Sequence, residues 1–382
     1  MPMPKHIVII AGEESGDHHA ADLVKELQTH DSTIKFSGMG GKHMEEAGVN
    51  VIANLAKFGM IGITAVIKHA FVIKKTFQII KQHLKNTKPD LLILVDCPGF
   101  NIPIAKYAKH VLGLRIIYYI SPQIWAWKAN RIHTLKACVD HMVVIFPFEK
   151  AIYQQAGIPV SFVGHPLVQR VQPSKDIAKI KESFNLPLNK KLIALLPGSR
   201  RSEIEKHLPI MVKTAEKLAA SYDDLHYVMP IAQTLNSDII KKYFTASAIN
   251  ITFIRGQAID VIASSHCVVV ASGTASLECA LMQKPMCIIY KGSFLSYLIA
   301  AKVIKVKYLG LCNLLQNKMI VPELLQYDCN AEELTQTLKA LITDNSLQER
   351  MIARLKKLKH SLSNEQADCS MVDVVKMELS RV

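Results

Sequence analysis

The chain has 382 residues, of which 49% are hydrophobic and 20% are charged, so its composition excludes a disordered protein and its length favours two domains. The net charge of +14 is concentrated in a few regions; one, between Glu46 and Asp90, has seven lysines and no acidic residue. Because these lysines are interleaved with isoleucine, valine, leucine and phenylalanine rather than with arginines and stacking aromatic residues, nucleic acid is the weakest candidate partner.

The first predicted unit is a buried strand, Val8–Ile10, followed by a glycine turn and a helix in the sequence AGEESGDHHAADL. The chain becomes acidic after only this short apolar run, which predicts no signal peptide. No apolar run reaches the roughly 18 residues that a membrane-spanning helix needs.

Similar strand–turn–helix units follow along the chain. The apolar run LLILV ends at Asp96 in the first half, and in the second half Leu192–Leu196 leads into PGSRRSE and HCVVV leads into ASGTASLECAL. A continuous apolar strand followed by a glycine turn and a helix is typical of a parallel sheet covered on both faces. The pattern therefore predicts two α/β domains, over residues 1–168 and 169–346.

Two segments, residues 58–85 and 293–311, combine long apolar stretches with lysines. One interpretation is a surface that contacts anionic lipid. The other is a set of core helices whose lysine side chains extend to solvent. The residues alone leave both open.

The turns after the strands of the second half suggest a phosphate site. Ser272, Gly273 and Thr274 place two hydroxyl groups and a glycine where a helix begins, and free N–H groups at a helix start bind phosphate. Glu278 follows one helical turn later, within expected reach of ribose hydroxyls. Gly198, Ser199 and Arg200 form a second such turn, with an arginine suited to phosphate. The alternative is that both turns are simply helix caps.

Asp96 is the candidate general base, because a carboxylate at the end of a buried strand is placed to take a proton from a sugar hydroxyl. Glu13, Glu14 and Asp17 compete for that role, and an Asx turn is the structural alternative for Asp96. The eight cysteines form no C-x-x-C, and the histidines show no metal spacing. No metal or other cofactor is expected.

Taken together, the motifs AGEESGD, DCPGFN, FPFEKAIYQQAGIPVSFVGHPL, LLPGSRRSEIE, ASGTASLECAL, CNLL and VPELLQ resemble, in order and spacing, the lipid-A-disaccharide synthase family. That family belongs to glycosyltransferase family 19, whose members are inverting enzymes with the GT-B fold. The resemblance implies two Rossmann-like domains with a cleft between them, and a C-terminal helix, residues 347–382, that packs back onto the first domain.

The implied reaction joins UDP-2,3-diacylglucosamine to 2,3-diacylglucosamine 1-phosphate (lipid X) through a β-1,6 link and releases UDP. The implied location is the cytoplasm, with peripheral attachment to the anionic inner-membrane surface of a Gram-negative bacterium. A homodimer is left open. Two alternatives remain: a GT-B enzyme of the UDP-sugar epimerase type, and a lipid-surface binding protein of the same fold without catalytic activity.

The resemblance also assigns residues. It implies that Asp96 and Arg200 are catalytic and that the other matched positions bind substrate: Glu13, Ser15, Gly16, Asp17, Gly198, Ser199, Ser272, Gly273, Thr274, Glu278, Asn313, Glu323 and Gln326. One position departs from the family pattern, since Gly99 stands where the family usually has a second aspartate. The sequence GLCNLL also lacks the family's usual proline before Asn313.

Overall fold

The computed structural model describes residues 4–55, 70–127, 130–233, 235–292 and 307–381, and the chain divides into two compact units. Unit 1 consists of Met1–Pro166 and Leu362–Val382, and unit 2 consists of Leu167–Ser361. The expected tail, residues 347–382, is thus divided. Its first helix belongs to unit 2, and only the part from Leu362 onward belongs to unit 1.

Unit 1 contains a parallel sheet of seven strands in the order β3-β2-β1-β4-β5-β6-β7. The strands are β1 His6–Ala11, β2 Lys35–Met39, β3 Asn50–Ala53, β4 Leu91–Val95, β5 Ile116–Tyr119, β6 His141–Val144 and β7 Val160–Phe162. The helices are α1 Glu14–His30, α2 Lys42–Glu46, α3 Ala70–Thr87, α4 Pro98–Leu112, α5 Ile124–Trp127, α6 Arg131–Cys138 and α7 Pro147–Gln155. Every residue of β4 is fully buried, as expected for a central strand with helices on both faces.

Unit 2 contains a parallel sheet of six strands in the order β10-β9-β8-β11-β12-β13. The strands are β8 Lys191–Leu196, β9 Leu225–Ile231, β10 Ile251–Arg255, β11 Cys267–Ala271, β12 Met286–Tyr290 and β13 Glu323–Leu325. The helices are α8 Leu167–Arg170, α9 Ile177–Ser183, α10 Arg201–Ala219, α11 Ser237–Lys241, α12 Ala258–Ser264, α13 Thr274–Leu281, α14 Leu311–Leu315, α15 Ala331–Thr343 and α16 Asn345–Ser361.

The strand order of each sheet reverses at one point, between β1 and β4 in unit 1 and between β8 and β11 in unit 2. The loops that leave two such strands diverge to opposite faces of the sheet, so the crevice at their carboxyl ends is the usual ligand site of an open α/β sheet. Ala11 pairs with Val95, and Leu196 pairs with Val270. The registers therefore bring together the loops that carry the predicted site residues.

The last helix, α17 Met371–Leu379, is fastened to unit 1 by the buried carboxylate of Glu378. This carboxylate forms an ion pair with Arg115, which immediately precedes β5, and a second with Arg381 at 3.0 Å. Nδ1 of His141, in β6, lies 3.4 Å from it. A buried carboxylate needs such partners, because desolvation of an isolated charge is costly.

None of the helices in the described ranges is both long and apolar enough to cross a bilayer. Residues 58–69 and 293–306, which make up much of the two lysine-rimmed apolar segments, lie outside the described residues.

Candidate functional site

Asp96 lies at the reversal point of the unit 1 sheet, directly after β4. Its backbone is left-handed, with a φ of 46°, and that of Cys97 is also left-handed, with a φ of 44°. Such a conformation costs about 1–2 kcal/mol for a residue with a Cβ atom, so the surroundings must enforce it. The carbonyl of Asp96 accepts hydrogen bonds from Oη of Tyr118 at 2.7 Å and from Nδ2 of the buried Asn101 at 2.8 Å. These contacts fix the turn that carries the carboxyl group.

Burial raises the pKa of the Asp96 carboxyl to about 6, and the negative charge of Glu13 adds to the effect. Glu13 precedes α1 at the end of the neighbouring β1 loop. A carboxyl group with a pKa near 6 is mostly ionised at pH 7, yet binds a proton more strongly than an exposed aspartate does. That combination suits a general base.

The carboxylate of Asp17 bonds to the backbone at the start of α2, which indicates a structural role. This carboxylate is 2% exposed and accepts hydrogen bonds from the N–H groups of Gly41 at 2.5 Å, His43 at 3.0 Å and Met44 at 3.2 Å. It thereby caps α2. Gly16 is also buried, since α1 packs closely on the sheet there. Of the four residues of this loop that the resemblance assigns to substrate, Ser15 is exposed, Glu13 is half-buried, and Gly16 and Asp17 are buried.

Gly99 is exposed in the first turn of α4, and an added Cβ would meet nothing within 4 Å. The position where the family usually has an aspartate is therefore open to a side chain, so packing does not require glycine there.

A further acid in unit 1, Glu149, was assigned no role from the sequence. It is 1% exposed, and its Oε1 accepts a hydrogen bond from Nε1 of Trp125 at 3.0 Å. Burial raises the pKa of the Glu149 carboxyl to about 7, and the charge of Asp96 contributes in the same direction. The negative charge of Asp96 thus helps to keep a proton on Glu149.

In unit 2, the turn Gly198–Arg200 connects β8 to α10. Gly198 has a φ of +116°, which favours glycine. Glu203 folds back over this turn, and its Oε2 accepts hydrogen bonds from the N–H groups of Ser199 at 3.0 Å and Arg200 at 3.2 Å. A carboxylate of the chain itself therefore occupies the position at the start of α10 where a phosphate would bind.

The turn Ser272–Thr274 connects β11 to α13. Gly273 has a φ of 153° and, like Thr274, is exposed. The first turn of α13 carries no acidic residue, and within the described ranges no hydrogen bond is seen from the N–H group of Thr274 or Ala275. The helix start therefore offers open donors, in contrast to that of α10. Of the two predicted phosphate turns, this one has the donors that a diphosphate needs.

Glu278 lies one turn into α13 and is half-buried. Burial raises the pKa of its carboxyl, and the positive charge of Arg170 partly opposes that shift. Its position four residues after Thr274 puts both on one helix face.

Asn313 and Glu323 hold the loop before α14. The fully buried Asn313 amide donates to the carbonyl of Val321 at 2.8 Å and to Oε1 of Glu323 at 2.6 Å, and it accepts from the N–H groups of Ile320 and Val321. Glu323 also accepts from the N–H groups of Leu309 and Gly310. All four hydrogen-bonding positions of the Asn313 amide are used, so the residue supports the loop.

Ser272, in the turn at α13, bonds both to the loop before α14 and to β12. Oγ of Ser272 donates to the carbonyl of Leu309 at 3.5 Å, and its N–H donates to the carbonyl of Ile289 at 3.0 Å. Gln326 has a left-handed φ of 54°, and its Oε1 accepts from the N–H of Gly292 at 2.7 Å. The hydrogen bonds of these side chains, Asn313, Glu323 and Gln326, thus stabilise the backbone segments that lie beside the turn at α13.

Among the described residues no group of three or more histidine, cysteine or carboxylate side chains could hold a metal ion.

The model of the family described as Lipid-A-disaccharide synthetase matches residues 7–377 of the chain. Lipid-A-disaccharide synthase 1 of Legionella pneumophila strain Lens is 57% identical over 379 residues, covering 99% of both chains. Lipid-A-disaccharide synthase of Geobacter sulfurreducens is 39% identical over 356 residues, covering 93% of this chain and 92% of its own.

Solved structures share the fold at low sequence identity. The glycotransferase of kitacinnamycin superposes with a TM-score of 0.65 at 13% identity, covering 99% of this chain and 100% of its own. A UDP-GlcNAc 2-epimerase from Neisseria meningitidis bound to UDP-GlcNAc superposes with a TM-score of 0.61 at 14% identity, covering 94% and 99%. The expected GT-B architecture, two parallel-sheet α/β domains, is confirmed.

Proposed function

Because the chain belongs to the lipid-A-disaccharide synthase family, we propose that it is an inverting glycosyltransferase acting on UDP-2,3-diacylglucosamine and 2,3-diacylglucosamine 1-phosphate. The product is the β-1,6-linked disaccharide 1-phosphate, and UDP is released. The epimerase-like alternative rests on the fold alone, since the epimerase neighbour is only 14% identical.

The observation that carries the proposal is the carboxyl of Asp96, with its pKa of about 6, on a fixed turn at the reversal point of the unit 1 sheet. Asp96 takes the proton of the acceptor 6-hydroxyl. The hydroxyl oxygen forms its bond to the anomeric carbon from the face opposite the diphosphate, and the bond from that carbon to the phosphate oxygen breaks. UDP leaves with the electron pair of this bond, which gives inversion in one displacement.

Unit 2 binds the UDP-sugar. The diphosphate lies at the start of α13, where Gly273 and Thr274 are exposed, and Glu278 accepts hydrogen bonds from ribose hydroxyls. Arg200, whose side chain is 54% exposed, supplies positive charge to the departing UDP. Fixed donors aimed at the charge that develops on a leaving group stabilise the transition state more than the ground state.

The substrates carry acyl chains, so we further propose peripheral attachment to the cytoplasmic face of the inner membrane. Helix α3 supports this proposal. Its side chains Phe71 and Ile79 are 80% and 39% exposed, and Lys74 and Lys75 on the same helix are exposed as well. Apolar side chains beside lysines match the surface of an anionic bilayer.

The test is a two-substrate assay with purified protein. UDP release and the lipid product, identified by mass spectrometry, are followed with both substrates and with each one omitted. We expect UDP and the disaccharide only when both substrates are present. Conversion of the UDP-sugar without lipid X would indicate the epimerase-like alternative. Liposome binding without UDP release would indicate a non-catalytic lipid-binding protein.

A further inference from the structure

His207 lies in the second turn of α10, is fully buried, and bonds to two separate loops. Its Nδ1 is 2.8 Å from the carbonyl oxygen of Pro197, and its Nε2 is 3.0 Å from the backbone nitrogen of Lys291. Pro197 begins the turn that carries Arg200. Lys291 directly follows β12, and the next residue, Gly292, bonds to Gln326.

These contacts define the state of the imidazole. The backbone N–H of Lys291 can only donate, so Nε2 must be an unprotonated acceptor. The carbonyl of Pro197 can only accept, so Nδ1 must carry the hydrogen. The ring is therefore neutral and in a single tautomer, in accord with the lowering of its pKa by burial.

The two bonded loops are not neighbours in the sheet. The strand order is β8-β11-β12, so β11 and its turn Ser272–Thr274 lie between them. His207 thus connects the loops on either side of the turn at the start of α13. The side chain itself is too deeply buried to contact a ligand, and any effect it has on binding acts through the backbone of these loops.

We propose that His207 is a positioning residue for UDP-sugar binding, which holds the Arg200 turn and the segment after β12 at a fixed spacing around the diphosphate site. This inference rests on the proposed function, because it assumes that unit 2 binds the UDP moiety. It extends that function by assigning a role to a residue without any direct contact to substrate.

The test compares His207→Leu, which keeps the side-chain volume but removes both hydrogen bonds, with His207→Gln, whose Oε1 can still accept from the N–H of Lys291. His226→Leu is the control. His226 is a half-buried histidine of unit 2 that bonds to Thr252 at 2.9 Å, on the β9–β10 side of the sheet. The readouts are the Kd of UDP by calorimetry and, separately, the KM of the UDP-sugar and of lipid X.

We expect His207→Leu to raise the Kd of UDP and the KM of the UDP-sugar about tenfold, the effect of losing one or two net hydrogen bonds. The KM of lipid X should not change, and His207→Gln should recover part of the loss. A merely structural role would lower the amount of active protein and leave the KM values alone. In ¹⁵N-histidine NMR spectra of the wild type, the signals lost in His207→Gln should be those of a ring protonated at Nδ1.

Each failure has its own signature. If both His207 variants bind UDP as tightly as the wild type and the His226→Leu control, the positioning role is wrong while the proposed function stands. If the wild type does not bind UDP, the proposed function and this inference both fail. If His207→Leu does not fold, the UDP affinity of His207→Gln and the tautomer of the wild-type ring still test the positioning role. A wild-type His207 ring protonated at Nε2 would contradict the inference.

Discussion

Glu203 accepts two hydrogen bonds from Arg200, one from its backbone N–H at 3.2 Å and one from its Nη1 at 3.0 Å. The same carboxylate accepts from the N–H of Ser199, so the start of α10 carries its own anion. The start of α13, by contrast, has no acidic residue in its first turn. This difference separates two turns that look equivalent in the sequence: one caps a helix, and the other has donors left for a ligand.

The first prediction concerns that cap. Glu203→Ala should lower the free energy of unfolding by about 1 kcal/mol, the usual contribution of a helix N-terminal cap. It should weaken UDP binding less than His207→Leu does, because the diphosphate binds at α13 and the His207 contacts to the loops on either side of that site remain. Urea denaturation and calorimetry measure the two effects. The control, Glu205→Ala, removes only an exposed pair with Arg201 and should cost a few tenths of a kcal/mol. A large change in UDP affinity for Glu203→Ala alone would place the diphosphate at α10.

The second prediction concerns pH. Asp96 must be ionised to accept a proton, and its pKa is about 6, so kcat/KM should fall as the pH drops through 6. Glu13→Gln removes a negative charge that raises this pKa, so the acidic limb of the profile should move to lower pH. Glu14→Gln is the matched control, since Glu14 is exposed and the pKa of Asp96 shows no contribution from it. Equal profiles for all three proteins would mean that another group titrates.

The third prediction concerns the buried amide of Asn313. Asn313→Ala leaves the N–H groups of Ile320 and Val321 without their partner and removes one of the hydrogen-bond donors to Glu323. Unsatisfied buried groups cost about 1–3 kcal/mol each, so we expect a loss of about 3 kcal/mol in the free energy of unfolding. Asn250→Ala, at an exposed position, should have almost no effect. Urea denaturation of the two variants decides, and a loss below about 1 kcal/mol for Asn313→Ala would contradict the loop-supporting role.

The fourth prediction concerns membrane attachment. Reversing the charges of Lys74 and Lys75 to glutamate should reduce flotation with anionic liposomes, since each basic side chain near such a surface contributes about 1 kcal/mol. Lys356→Glu/Lys357→Glu makes the same charge change at exposed positions of α16 in unit 2. Only the α3 variant should lose binding, and binding of the wild type should weaken as salt is raised. Equal losses in both variants would show a general effect of net charge.

Much of the fold follows from local patterns. The runs around Val8, Leu94 and Val269 predict buried parallel strands, and the strands of the structure contain them. The domain boundary predicted after residue 168 compares with a division of the chain after Pro166. The strands can be predicted because strand burial and glycine turns are encoded by neighbouring residues.

The individual side chains were harder to predict. Asp17 and Asn313 were assigned to substrate through the family resemblance. In the structure the carboxylate of Asp17 accepts hydrogen bonds from backbone N–H groups from Gly41 onward, and the amide of Asn313 bonds to backbone groups and to Glu323. Such partners meet only after folding. The capping role of Glu203 could have been predicted, because an acidic residue at the third position of a helix is typical of a capping box. The burial of His207 could also have been predicted, because it is a polar residue on the apolar stripe formed by Ile204, Leu208 and Met211.

The role of Asp96 as the base is tested most directly by Asp96→Asn. Asparagine tolerates the left-handed backbone that this position requires, so the variant should fold, but its amide cannot take a proton. We predict unchanged UDP affinity by calorimetry and a loss of turnover on the order of a hundredfold or more. Wild-type turnover in Asp96→Asn, with the disaccharide product identified by mass spectrometry, would contradict the account.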